Sequence, residues 1–260
     1  MTSAGPHVCS AAFRVRFDEA GPDGLLRTSS LLRYAQDLAS FHAAERGFDR
    51  AWHAERGLAW LARTASAAIL APIAHGSSMT GTTRIVGERR VWARRSTEFR
   101  DRDGRLLART HVDWVLLDGR GAPTRIPPEF EAAFGTPKAT LLLGRVALGT
   151  PPADARTVDF TVRPQELDPM DHVNNAVYAD WLDEAILAAG GEALVRCMPR
   201  VARLEYARSA EPAADLSATV WSEDGGWSYR LSDSAGGELL RARLEPGTGP
   251  TDRDTVGPAD

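Results

Sequence analysis

The chain has little cysteine and almost no lysine. Two cysteines, Cys9 and Cys197, stand in 260 residues, too few for a disulfide framework and without metal-ligand spacing. Neither a stapled secreted domain nor a metal site is expected, and no cofactor is implied. Lys138 is the sole lysine among 31 basic residues, so arginine carries nearly all the positive charge, as coding bias in a GC-rich genome would produce. The net charge of −4 argues against nucleic acid as a partner. No run approaches the roughly 18 apolar residues of a membrane span, and residues 1–10 hold no apolar signal core. A cytoplasmic protein without membrane contact is expected. The 43% hydrophobic and 25% charged residues are those of a globular chain, long enough for one large domain or two of about 100–150 residues.

One stretch is denser in chemistry than the rest. Residues 166–175, Glu-Leu-Asp-Pro-Met-Asp-His-Val-Asn-Asn, are polar and turn-rich. They run into an amphipathic helical pattern in which Val177, Trp181, Leu182, Ala185, Ile186 and Ala189 share one 3.6-residue face. Asn174 or Asn175 suits the N-cap, where a side-chain oxygen accepts an N–H that has no partner inside the helix. A carboxylate, Asp168, and an imidazole, His172, thus precede a helix start, where free N–H groups and the helix dipole favour negative charge. That combination suits a reaction in which a carbonyl oxygen becomes an oxyanion. Read for structure alone, the same residues make an Asp-Pro turn and a cap.

Around this stretch the chain repeats itself. Residues 11–19 alternate as a strand, 21–24 form a turn, and a helix runs from Thr28, Ser29 or Ser30 to about Arg46, with Gly47 as its stop. Strand-like runs follow at 58–69, 78–86, 89–100 and 105–117. Placing Phe13 on Phe160 sets an offset of 147 residues that also brings Val15 onto Val162, Glu19 onto Glu166, Pro22 onto Pro169, Tyr34 onto Trp181 and Asp37 onto Glu184. Each unit reads as strand, turn, long helix and about four antiparallel strands. Two such units side by side can share one continuous sheet with both helices packed against it, an α+β fold. The expected boundaries are 8–134 and 157–245 for the units. The linker between them, 135–156, holds an apolar stretch at 139–148, either a buried crossover or a tether. The tail, 246–260, is expected to be disordered.

Only the second copy carries the polar cluster. Opposite Asp168 stands Gly21, opposite His172 stands Leu25, and opposite Asn174 and Asn175 stand Arg27 and Thr28. One active site per chain is expected, supplied by the second unit, with the first shaping a binding cavity.

The segment 172–182, His-Val-Asn-Asn-Ala-Val-Tyr-Ala-Asp-Trp-Leu, resembles the H-V-N-N segment of hotdog-fold thioesterases. Residues 30–42, 57–63 and 114–118 resemble the N-terminal repeat of acyl-[acyl carrier protein] thioesterases, and Leu204-Glu-Tyr206 a strand of their C-terminal repeat. The resemblance spans about residues 12–245. It implies a tandem (double) hotdog and hydrolysis of fatty acyl thioesters, on acyl carrier protein (ACP) or coenzyme A, to free fatty acid and thiol. On the family's D-x-N-x-H motif, Asp168 and His172 match while Met170 holds the Asn position. On L-E-Y-x-x-E-C, Ser209 and Ala210 hold the final Glu and Cys positions. The family's water-activating set therefore does not carry over. Asp168 also resembles the single carboxylate of hydroxybenzoyl-CoA thioesterases, which implies Asp168 as base or nucleophile and the Asn175 backbone N–H as oxyanion donor.

The other candidates each have two readings. His172 orients water or protonates the leaving thiolate, or it only bonds the helix start. Asn174 touches substrate or caps the helix. Tyr178, Trp181 and Phe41 line an acyl channel or fill the core, and Glu205 or Glu211 supplies a second acid or faces solvent. An acidic acyl carrier would meet arginines, and Arg84, Arg89, Arg90, Arg94 and Arg95 form one candidate cluster. Rival readings are a hotdog hydratase or dehydratase acting on acyl thioesters, and a non-catalytic acyl-binding module. The duplication allows a monomer, with the two-unit assembly completed within one chain, or a homodimer.

Overall fold

The computed structural model describes residues 7–135, 140–141, 145–249 and 256–257. The first half contributes β1 (Val8–Arg14), α1 (Thr28–Glu45), α2 (Arg50–Glu55), β2 (Ala59–Ile69), β3 (Ser78–Arg89), β4 (Trp92–Arg100), β5 (Leu106–Leu117) and α3 (Pro128–Phe134). After a short β6 (Thr140–Leu141), the second half contributes β7 (Arg156–Thr161), α4 (Val177–Ala188), α5 (Glu192–Val195), β8 (Arg200–Tyr206), β9 (Asp215–Glu223), β10 (Gly226–Asp233) and β11 (Glu238–Pro246). Ten of these strands form one antiparallel sheet in the order β1-β3-β4-β5-β2-β8-β11-β10-β9-β7. The order reads the same from either end once first-half strands are exchanged for their second-half equivalents. The seam is β2 against β8, registered from Thr64 opposite Glu205 to Ile69 opposite Arg200.

The expected strand at 11–19 ends early. The Glu19 carboxylate accepts the Arg16 N–H at 2.7 Å and takes the Tyr34 hydroxyl as a second donor. That folds residues 17–19 into a single tight turn and aims the chain into α1. Leu31, Leu32, Ala35 and Leu38 of α1 and Val177, Tyr178, Trp181, Leu182, Ala185 and Ile186 of α4 are buried against one face of the sheet. Each fully buried large side chain contributes about 1.5–3 kcal/mol. Close approach of α1 needs Gly81. A Cβ there would lie 2.9 Å from the Phe13 ring, 3.0 Å from Phe99 and 3.3 Å from Leu38.

The repeat holds down to single hydrogen bonds. Asp168 N–H donates to the His172 carbonyl at 2.7 Å, and Gly21 N–H donates to that of Leu25 at 2.8 Å. Asn174 N–H donates to Glu166, and Arg27 N–H to Glu19, at 2.9 and 3.0 Å. Asp171 and Gly24 both take a left-handed conformation, with φ of 60° and 75°. Arg33 and Asp180, equivalent positions of the two copies, pair with each other at 2.8 Å across 147 residues of chain. An approximate twofold axis therefore passes between α1 and α4.

The other face of the sheet is crossed by the linker. Glu205 accepts the Val146 N–H at 2.9 Å and Glu223 the Gly149 N–H at 3.2 Å, while β6 lies against β3. Within the apolar stretch 139–148, Val146 is buried. Residues 136–139 and 142–144 lie outside the described residues. The tail departs from expectation where it is described. Gly247 N–H donates to the Pro199 carbonyl, and β12 (Val256–Gly257) pairs with β6. Residues 250–255 and 258–260 lie outside the described residues. The sequence pattern gave no warning of α2 and α3, which close a second, smaller core of Phe48, Ile85, Leu116, Phe130 and Phe134. Among the described residues no helix is long and apolar enough to cross a membrane.

Candidate active site

The Asp168 turn is held from within. One Asp168 carboxylate oxygen accepts the Met170 N–H at 2.8 Å and the His172 N–H at 3.4 Å. The other oxygen has no hydrogen-bond partner among the described residues. Such Asx turns explain the residue type without chemistry. His172 and Met170 are exposed. Arg50 of α2 reaches across from the first half and donates to the Pro169 carbonyl at 3.0 Å, so the turn is pinned from both halves.

The helix start behind the turn is only partly sealed. In the turn just ahead of α4 the Asn174 side-chain oxygen accepts the Ala176 N–H at 3.0 Å, while the capping position itself is Ala176, which has no side-chain cap. The Val177 N–H turns back to the Asn174 carbonyl at 2.9 Å. Tyr206 donates its hydroxyl to the Asn175 carbonyl at 3.0 Å. Among the described residues nothing accepts from the Asn175 N–H. An N–H without a partner at a helix start is an anion-binding group.

Asn175 and Ala176 line a narrow cleft, with a cavity volume of about 20 Å³, between α1 and the first-half strands. Its walls are mostly apolar, with Leu32, Ala35, Ala62, Val112 and Trp114 prominent, and its polar groups are Gln36, Arg95, Thr97, Asn175 and Tyr206. The cleft is thus bounded by both copies: the floor from the first, the helix start from the second. Arg95 is buried, and its Nη1–H donates to the Nδ1 of fully buried His42 at 2.9 Å. That leaves the His42 Nε2–H to donate to His7 at 3.0 Å. Burial and the Arg95 charge hold His42 down to about 4, and burial lowers Arg95 to about 10.

Several expected site residues lie elsewhere. Asp168 and His172 are close to the helix start but are not among the residues lining the cleft. Tyr178 is core: it is 2% exposed, its oxygen accepts the Ala210 N–H at 2.9 Å, and burial raises its pKa. Trp181 is also core, stacked on Phe160 with ring centroids 5.8 Å apart. Phe41 is exposed. Glu205 is corrected from a substrate group to a strap. Its neighbours Leu204 and Tyr206 face the helices, so alternation turns Glu205 to the other face, where it holds the linker and Arg63. The five-arginine surface cluster is corrected too. Arg89 and Arg90 are exposed, but Arg94 is buried in a two-pronged pair with Asp113, and Arg95 faces the cleft. Strand alternation allowed one of the last two to be solvated, but both are buried, Arg94 in its pair with Asp113 and Arg95 beside α1.

Gln36, Arg95 and Tyr206 were not singled out beforehand as cleft residues. Gln36 left a signal in the sequence, being a lone polar residue on the stripe Leu32, Ala35, Ala39 of α1.

The family model for the acyl-ACP thioesterase N-terminal domain matches residues 6–134, and that for the C-terminal domain matches residues 149–244. Solved structures share the fold over nearly the whole chain. A candidate oleoyl thioesterase from Lactobacillus plantarum has a TM-score of 0.83 at 19% identity, covering 96% of this chain and 100% of its own. An acyl-ACP thioesterase from Bacteroides thetaiotaomicron has a TM-score of 0.77 at 15% identity, covering 92% and 97%. The 12:0-ACP thioesterase from Umbellularia californica has a TM-score of 0.77 at 23% identity, covering 93% and 98%. No curated protein sequence matches the chain. With a double hotdog sheet, a cleft ending at an unpartnered helix-start amide, and family matches over both halves, the chain belongs to the acyl-ACP thioesterase family, a family of thioester hydrolases acting on fatty acyl thioesters.

Proposed function

We propose that this enzyme releases free fatty acid from acyl-ACP, with residues 8–134 forming the acyl cavity and residues 157–245 supplying the catalytic groups. The observation that carries the reading is the Asn175 N–H, free of partners among the described residues and opening onto an apolar cleft. The apolar walls match an acyl chain in character; the narrow cleft has to widen to admit one, and the thioester carbonyl oxygen would then meet that N–H. A thioester carbonyl is electrophilic because sulfur donates weakly to it, so hydrolysis needs a positioned water and a donor for the oxyanion. Asp168 is the candidate base, acting through its unpartnered oxygen. His172 is the candidate proton donor to the leaving thiolate, and Asn174 holds the helix start in shape. The position of Arg50, exposed beside the Asp168 turn, supports an acidic carrier as partner.

Thiol release from a chain-length series of acyl-ACPs and acyl-CoAs tests the reading. Turnover of acyl-ACP is expected, and Asp168→Asn should abolish it. That substitution keeps an oxygen for the Met170 N–H, so the turn and the melting temperature should survive. Absence of thiol release from every acyl-ACP would overturn the function. Parental turnover in Asp168→Asn would remove Asp168 from the mechanism. Hydration of an enoyl substrate without thiol release would indicate a hydratase instead.

A further inference from the structure

Gln36 sits on the cleft-facing stripe of α1, half-buried, and its carboxamide has no hydrogen-bond partner among the described residues. The approximate twofold axis locates it relative to the second helix. Residue 36 is equivalent to Asp183, and residue 175 to Thr28, by the same offset that pairs Arg33 with Asp180. Asp183 of α4 lies near the Thr28 hydroxyl at the start of α1, with no hydrogen bond between them. The symmetric counterpart of that contact brings the end of Gln36 to residue 175 at the start of α4. The antiparallel run of the helices agrees. From the Arg33–Asp180 pair, three residues forward on α1, about 4.5 Å, and three to five back on α4, about 4.5–7.5 Å, put Gln36 opposite residues 175–177. Asn175 and Gln36 accordingly line the same cleft.

The two symmetric corners have been put to different ends. At the Thr28 corner the helix residue is a carboxylate, Asp183, with Arg200 nearby. At the Asn175 corner it is a carboxamide facing the cleft. An ionised carboxylate can only accept hydrogen bonds and would repel an oxyanion, whereas a carboxamide carries two N–H donors.

We propose that Gln36, contributed by the first half of the chain, is a catalytic residue whose side-chain N–H joins the Asn175 N–H in holding the thioester carbonyl oxygen as it becomes an oxyanion. The proposal rests on the hydrolytic reading of this site. Water adds to the carbonyl carbon, and the carbonyl π electrons move onto the oxygen held by the two donors. The water proton passes to the proposed base, Asp168. Collapse of the oxyanion breaks the C–S bond, and the leaving thiolate takes up a proton. A donor from the first half would explain how the site works with Met170 where the family motif has a carboxamide.

The test is steady-state thiol release from dodecanoyl-CoA and dodecanoyl-ACP by the full chain and its variants. Gln36→Met keeps the length of the side chain and removes both donors. Its kcat should fall about 100-fold, the usual loss for one oxyanion donor, with KM within about threefold. Gln36→Glu separates a donor from a water-orienting acceptor. As a carboxylate at pH 8 it should be slower than Gln36→Met, and it should recover as the pH falls towards 5 and the carboxyl group regains a proton to donate. Turnover of Gln36→Met within about threefold of the parent, or a Gln36→Glu enzyme faster than Gln36→Met at pH 8, would overturn the proposal. Were Gln36→Met to unfold, the Gln36→Glu rate at pH 5 against pH 8 decides alone. A parent inert on every acyl-ACP and acyl-CoA of the chain-length series would sink the hydrolytic reading and Gln36 with it, whereas a parent active on any of them, with an unimpaired Gln36→Met enzyme on that substrate, would sink Gln36 alone.

Discussion

The Tyr206 hydroxyl donates to the Asn175 carbonyl at 3.0 Å, tying β8, the second half's strand at the seam, to the helix start that borders the cleft. Tyr206 is itself buried. Tyr206→Phe removes this tie and little else. It should cost about 1 kcal/mol of stability, the net value of one neutral hydrogen bond. It should also lower kcat by roughly 3–10-fold at constant KM, because the neighbouring N–H loses its fixed direction. Thermal melts and thiol-release kinetics on one preparation check both; unchanged kcat would show that the helix start holds its shape unaided.

Arg50 offers a charge test that leaves the cleft alone. It is exposed, and among the described residues it bonds only to the Pro169 carbonyl. Arg50→Glu should raise KM for acyl-ACP several-fold more than KM for acyl-CoA, and the difference should shrink in high salt. Equal effects on the two substrates would mean that the cation acts on the turn and not on the carrier.

The buried pair Arg94–Asp113 makes contacts of 2.5 and 2.6 Å, and Thr64 donates to the same carboxylate at 2.7 Å. Removing one partner strands the other charge in the interior. Asp113→Ala should destabilise the chain by about 3–5 kcal/mol, whereas an apolar pair at both positions should recover most of the loss. Urea unfolding of the single and double variants measures this, and additive losses would contradict it.

A buried imidazole and a half-buried carboxyl group give stability slopes of opposite sign with pH. His42 has a folded value of about 4, below its ordinary 6.5. Its contribution is complete above pH 6.5 and is lost as the pH falls towards 4, by roughly 3 kcal/mol. Asp183 is raised by burial from 3.8 to about 7, against the pull of Arg200 and with the push of Asp180. Its contribution is complete below pH 3.8 and is lost as the pH rises through 7. Relative to the parent, His42→Gln should therefore lose stability that rises with pH between 4 and 6.5. Asp183→Asn should lose stability that falls with pH between 4 and 7. Unfolding curves at half-unit pH steps would show these two opposite tilts.

The fold was largely legible before the structure, because the matched pairs are those that set the architecture. Phe13 and Phe160 lie near the ends of the edge strands, Glu19 and Glu166 close the turns that follow them, and the α1 and α4 stripes face one sheet. The site was legible only in part. Asp168 and Asn174 announced a turn and the approach to a helix, and Asn175 its free amide, since these depend on local spacing. The cleft wall did not announce itself. Gln36 and Arg95 meet Asn175 only through the twofold packing of the two helices, which no local pattern encodes. Glu205 and Arg94 misled for a related reason. Alternation tells which residues share a face, but it does not tell that a linker will cover that face.

The ladder between β2 and β8 joins two copies into one inherited unit. In an assembly of identical subunits every substitution is made twice, so no position can specialise without its twin following. Here the twin of each residue is a separate codon. The turn at Gly21 could shed its charge while the one at Asp168 kept it, and residues 36 and 183 could become amide and acid independently. One half thus carries the polar turn and the other does not, an asymmetry open only to a chain that encodes both copies.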